Sequence, residues 1–114
     1  MKFEIEVVYN NLPQLNKRMR QNVRRALRDT ALECETIAKQ YAPFRYGFLR
    51  DSIQAEEESE LSWIVAPHTD YAIFMEYGTA RIAPRPYMRP AARSVEGRFR
   101  QRMQQAVEDA GGRD

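Results

Sequence analysis

The side chains able to do chemistry are few, and their spacing does not assemble a catalyst. His68 is the single histidine, between Pro67 and Thr69, and Cys34 is the single cysteine. Nucleophilic catalysis needs a base held within hydrogen-bond reach of a serine, threonine or cysteine. The neighbours of His68 instead read as an exposed turn. Cys34 falls on the apolar side of a predicted helix, which favours a buried, inert thiol. A lone cysteine also excludes an internal disulfide and a cysteine-based zinc site. No histidine pair stands one helical turn apart, and five scattered glycines make no phosphate-cradling loop. Glu56-Glu57-Glu58-Ser59-Glu60 reads as solvated turn charge. Glu76, inside an apolar run, is read as buried and ion-paired, with Arg50, Arg81 and Arg89 as candidate partners. The expectation is a protein that is not an enzyme and has no cofactor or metal. A small hydrolase or toxin would have to work through His68 or Glu76.

Fifteen of the 18 basic residues are arginine, yet the formal charge is only +2. Arginine suits bidentate pairing with carboxylates at protein interfaces as much as phosphate binding, so charge alone does not select nucleic acid. Hydrophobic residues at 43% and charged residues at 30% fit one folded domain over 1–114. No apolar run reaches the ~20 residues of a membrane span. Met1-Lys2-Phe3-Glu4 lacks a signal-peptide core, so cytosolic synthesis is expected.

Phe3, Ile5 and Val7 alternate with Lys2, Glu4 and Glu6, predicting a half-buried strand that ends near Tyr9. Asn10-Asn11 offers a turn and helix cap, with Pro13 tolerated in a first turn. Leu12, Leu15, Met19, Val23, Ala26, Thr30, Cys34, Ile37 and Tyr41 then form one stripe of a helix of about eight turns. That helix should stop at Ala42-Pro43. Its polar side carries a second stripe, Lys17, Arg20, Arg24 and Arg28, either solvated or facing a partner. Residues 42–53 read as an ordered loop leading into a strand. Alternation over 52–58 and 61–66 predicts a hairpin. Met88, Ala92, Val95, Phe99, Met103, Ala106 and Ala110 define a last amphipathic helix that Gly111-Gly112 ends. The fold class is α+β: N-terminal strand, long amphipathic helix, small antiparallel sheet with a hairpin, short helix and C-terminal helix.

Between hairpin and last helix lies the most aromatic stretch, 71–92. As a helix over 70–77, with Asp70 as cap and Gly78 just past its end, it puts Tyr71, Phe74 and Met75 on one face. As a strand it would turn Ile73, Met75 and Tyr77 one way and Phe74 and Glu76 the other. The helix is the preferred reading. Residues 79–90, with Pro84, Pro86 and Pro90, then form a stiff extended arm.

Two groups of residues resemble a known family when taken together. Ala42-Pro43, Gly47, Leu49-Arg50 and Ser52-Ile53 look like its A-P-x-x-T-G-x-L-R-x-S-I signature. Tyr71-Ala72, Glu76-Tyr77-Gly78-Thr79 and Pro86-Tyr87-Met88-Arg89-Pro90-Ala91 resemble its Y-A-x-x-x-E-[FY]-G-T and P-[FY]-[LM]-x-P-A motifs. The family is that of the small neck proteins of siphovirus-type phages and prophages, the tail-completion or head–tail joining proteins. Tyr46 departs from it, standing where the family usually has Thr or Ser.

The resemblance implies a structural virion protein, made in the host cytoplasm and placed in the neck, that completes the tail and joins it to the head connector. It implies a ring of identical subunits. Partners would be connector or head-closure proteins, tail-tube or tail-terminator proteins, and passively the DNA in the lumen, with no membrane. Arginine and aromatic residues are enriched at interface hot spots, which makes Arg81, Arg85, Pro86, Tyr87 and Arg89 the expected subunit or partner contacts. The alternative is a basic nucleic-acid-binding domain tracking phosphates with the Lys17–Arg28 stripe. Nearly equal numbers of acids and the lack of a binding motif weigh against it.

Overall fold

The computed structural model describes residues 3–6, 16–43 and 47–111. In chain order they form β1 (Phe3–Glu6), α1 (Lys17–Tyr41), α2 (Gly47–Ser52), β2 (Gln54–Ser59), β3 (Ser62–Ala66), α3 (Ala72–Tyr77) and α4 (Met88–Gly111). This is the predicted α+β layout with one helix more. Residues 42–53 read as a loop, but Gly47–Ser52 wind into α2. Leu49 and Ile53 stand four residues apart and both are fully buried, and a helical turn is what brings such a pair to one side. The strand end near Tyr9, the Asn10-Asn11 turn, and Leu12 to Leu15 lie outside the described residues.

The cap of α1 is Asn16, whose side chain accepts the Met19 N–H at 2.8 Å. A cap of this kind contributes about 1 kcal/mol. The helix stops where Pro43 requires, with Ala42 turned to an extended ψ of 137°. Its buried side is Val23, Ala26, Leu27, Thr30, Ala31, Cys34 and Ala38. That stripe is broader than the predicted one, and Tyr41 lies outside it, half exposed. Burial of Cys34, with the Glu33 charge beside it, pushes the thiol up to about 11.

The sheet is antiparallel in the order β1-β3-β2. Phe3 and Ala55 both stand opposite Val65, and Ile5 and Glu57 opposite Trp63. The hairpin register slips between Glu57 and Ser59, at the turn without Gly or Asn. β2 is an edge strand, and α1 covers part of its edge: Glu35 accepts the Ala55 N–H at 2.7 Å. Ser52 joins two connections, donating to the Leu49 carbonyl and accepting from the His68 N–H.

α4 runs antiparallel along α1. Asn22 donates to the Ala106 carbonyl, Arg102 to the Thr30 hydroxyl and to Glu33, and Arg98 to Glu33. One cluster of buried side chains ties the layers: Ala31 and Cys34 of α1, Leu49 of α2, Val65 of β3, Met75 of α3 and Met88 of α4. Fully burying a Leu or Val side chain stabilises by roughly 1.5–3 kcal/mol, so this cluster outweighs the surface ion pairs.

The Glu33 carboxylate makes the α1–α4 seam pH-sensitive. Burial raises its pKa, but Arg98 and Arg102 more than offset this and hold it below its ordinary 4.5. The folded state therefore favours the ionised form. The resulting stability is present above about 4.5 and is lost as pH falls through the lower folded value. Glu33→Gln should lower stability by about 1 kcal/mol at pH 7, a small effect because all three side chains are partly solvated. In thermal melts followed from pH 7 to pH 3, the gap from wild type should close below that value.

Candidate functional site

The Y-A-x-x-x-E-[FY]-G-T and P-[FY]-[LM]-x-P-A motifs meet at one carboxylate. Glu76, on α3, is completely buried. Its Oε1 accepts the backbone N–H of Tyr87 at 3.1 Å and of Met88 at 2.9 Å, and its Oε2 that of Arg89 at 3.2 Å. These are the first amides of α4, which no earlier carbonyl of the helix can satisfy. The next position is Pro90, which has no N–H, and Ala91 begins the intrahelical ladder by donating to the Tyr87 carbonyl. Glu76 thus caps α4 from another helix, and its negative charge faces the positive end of the helix dipole.

Arg89 completes the cage. Its Nε donates to Glu76 Oε2 at 3.0 Å, a second guanidinium nitrogen donates to the Glu76 carbonyl at 3.2 Å, and the guanidinium lies 4.5 Å from the Tyr77 ring centroid. Of the three arginines considered for Glu76, Arg89 is the partner. Tyr87 is also fully buried and donates its hydroxyl to the Ala72 carbonyl at 3.1 Å, so both ends of α3 are tied to the start of α4. Burial and the nearby Glu76 charge push the Tyr87 phenol well above its ordinary value.

The segment between the helices is therefore pinned at each end. Gly78 has φ +75°, and a Cβ there would stand 2.7 Å from the Ile82 carbonyl oxygen and 2.8 Å from the Pro84 nitrogen. Both the backbone conformation and the close approach require glycine. Thr79 closes a turn: its N–H donates to the Ile82 carbonyl and its hydroxyl accepts from the Arg81 and Ile82 amides. Arg85 N–H then donates to the Met75 carbonyl at 2.8 Å.

Three expectations change here. The stretch 79–90 is not an extended arm throughout. Residues 79–82 fold into a turn, and Tyr87 to Pro90 belong to the capped start of α4. Tyr87 and Arg89, expected as exposed contacts, are engaged within their own chain because Glu76 needs their amides and the Arg89 guanidinium. Arg81, Arg85 and Pro86 are exposed. Asp70 does not cap α3: the cap position is Tyr71, with no side-chain hydrogen bond. Gly78 ends that helix as predicted, its N–H donating to the Phe74 carbonyl.

The 42–53 signature centres on a different element, α2. Gly47 begins α2, Leu49 is buried, and Arg50 is partly buried on the same helix. The predicted basic stripe on α1 faces acids of its own chain. Arg20 lies 3.8 Å from Glu60, Arg24 3.5 Å from Glu57 and Arg28 3.5 Å from Asp29, while Lys17 is exposed. The hairpin glutamates thus offset part of the stripe.

Sequence reasoning missed the exposed apolar residues. Phe48 is 83% exposed, and Ile73, Phe74, Tyr77 and Ile82 are each about half exposed. Tyr71, Phe74, Met75, Thr79 and Ile82 line an open groove of about 430 Å³. Phe48 was legible in principle, since Leu49 and Ile53 at helical spacing imply that residue 48 faces away from the core.

The family profile described as "Bacteriophage HK97-gp10, putative tail-component" matches residues 6–78, nearly two thirds of the chain. The chain belongs to this family. It is a phage tail component by family, which supports a structural role in the virion. The match ends at Gly78, so the turn at 79–82 and α4 lie beyond it. No curated protein and no solved structure matches the chain significantly. Among the described residues no group of His, Cys, Asp and Glu could hold a metal ion, and no helix is long and apolar enough to cross a membrane.

Glu76→Ala should cost about 3–5 kcal/mol, because it strands two buried amides, a partly buried third and the Arg89 charge. Gly78→Ala should cost at least about 1–3 kcal/mol from the positive φ alone. Lys17→Ala, at an exposed site, should stay within about 0.5 kcal/mol. Urea unfolding of the three variants checks this order.

Proposed function

We propose that this tail component acts in the phage neck, completing the tail and joining it to the head connector as a ring of identical subunits. The observation that carries the proposal is the loop 79–86. It is solvent-exposed, bears Arg81 and Arg85, and is held in place at Gly78 and at the Glu76 cage. A rigid loop loses little conformational entropy when a neighbour docks on it. Its arginines suit carboxylates of an adjoining subunit, connector or tail-tube protein. The proposed place of action is the virion, after assembly in the host cytoplasm.

A basic nucleic-acid-binding domain is the weaker reading. Arg20 and Arg24 lie against Glu60 and Glu57 rather than standing as a free phosphate track. Contact with DNA in a ring lumen remains part of the proposal as a passive feature.

Inactivating the gene in its phage should leave filled heads and finished tails unjoined in electron micrographs, with joined virions restored by the wild-type gene. An Arg81→Glu, Arg85→Glu double variant should keep the wild-type melting temperature yet fail to restore joining. Joined virions in the absence of the protein would overturn the proposal. Tight DNA binding by the purified chain, weakening steeply with salt, would favour the alternative.

A further inference from the structure

Two apolar features, a groove on α3 and a knob on α2, stay uncovered among the described residues. Among the described residues Phe48 is the most exposed large apolar side chain, standing on a helix anchored by its neighbour Leu49. Asp51 is also exposed, three residues on and so beside Phe48 on the same helix face. The groove is walled by Tyr71, Phe74, Met75, Thr79 and Ile82. Exposed Arg81 and Arg85 flank Ile82 in the chain. Among the described residues, none of Asp51, Arg81 and Arg85 has an ion-pair partner.

Single exposed apolar residues are ordinary. Here four of them (Ile73, Phe74, Tyr77 and Ile82) fall within ten residues, and two of the four, Phe74 and Ile82, line the groove, which is the pattern of an interaction surface. An exposed aromatic beside an acid would suit an apolar groove flanked by arginines, and this chain carries both on α2. Phe48 stays exposed in the single chain, so it does not fill its own groove.

The geometry points to a second copy of this chain as the occupant: Phe48 of one subunit seats in the α3 groove of the next, with Asp51 set against Arg81 and Arg85. Knob and groove are different patches, so the contact is heterologous and repeats from subunit to subunit, the kind that closes into rings. This inference rests on the ring reading and names its interface. It also accounts for the stiffness of residues 78–85, since the Gly78–Pro84 approach and the Thr79 turn hold one wall of the groove open.

The test uses the full chain with Cys34→Ala as background, mixing equal amounts of a Phe48→Cys variant and an Ile82→Cys variant under mild oxidation. The mixed 48–82 disulfide should exceed either homodimer by about tenfold, against the twofold excess of random pairing. In sedimentation across a concentration series, Phe48→Ala should weaken self-association about thirtyfold, as loss of an aromatic anchor does. Asp51→Arg should weaken it as well, with recovery when Arg81 and Arg85 are both changed to Glu. Random pairing in the mixture, with wild type still self-associating, would overturn this interface and leave the ring reading standing. A wild-type chain that is monomeric at every concentration, together with no 48–82 link in the variant mixture, would overturn the interface and self-driven ring formation together.

Discussion

One buried carboxylate sets the geometry on which the distinctive part of this molecule depends. Glu76 takes the first three amides of α4 and the Arg89 guanidinium into a single cage. An ionised carboxylate removed from water carries a desolvation penalty of several kcal/mol, and it is tolerated only where its acceptor sites are filled. The first turn of a helix supplies an ideal set of donors, since those amides have no partner of their own. Pro90 removes the remaining amide, so no donor is left over. Burial of the acid and the start of the long helix are therefore the same event.

The loop between α3 and α4 inherits its shape from that cage. Its ends are fixed by Glu76 on one side and by the Gly78 approach to Pro84 on the other. Between them the Thr79 hydroxyl satisfies two amides. The result is an exposed, arginine-bearing surface on a rigid base, which is where binding residues are usually carried. The Y-A-x-x-x-E-[FY]-G-T and P-[FY]-[LM]-x-P-A motifs are the two halves of this device, one bringing the carboxylate and the other the amides.

Elsewhere charge acts locally. Glu33 links α4 to α1, Glu35 covers an edge amide of the sheet, and the hairpin glutamates sit against the arginine stripe. Exposed pairs of this kind contribute little to stability individually. Their consequence is that a stripe of arginines, seemingly free in sequence, is partly occupied by acids from 30 or more residues away.

Periodicity placed the two long helices and the hairpin, but it missed α2 and left 70–77 open between helix and strand. The stripe from Met19 to Ile37 and that from Met88 to Ala106 could be only helices, Leu61 to Val65 only a strand, and Pro43 and Gly78 had to end what preceded them. The burial of Glu76 was legible too, because a charge within an apolar run must be paired. Arg89 was one of its three candidate partners, but its backbone ligands were not legible. Backbone amides leave no trace in residue types, so Tyr87 and Arg89 looked like exposed contacts on an arm until the fold brought α4 onto α3. The same holds for Phe48 and the groove it leaves unfilled. Local propensity decides which segments coil or extend, but which face stays uncovered is decided only when every other element has taken its place.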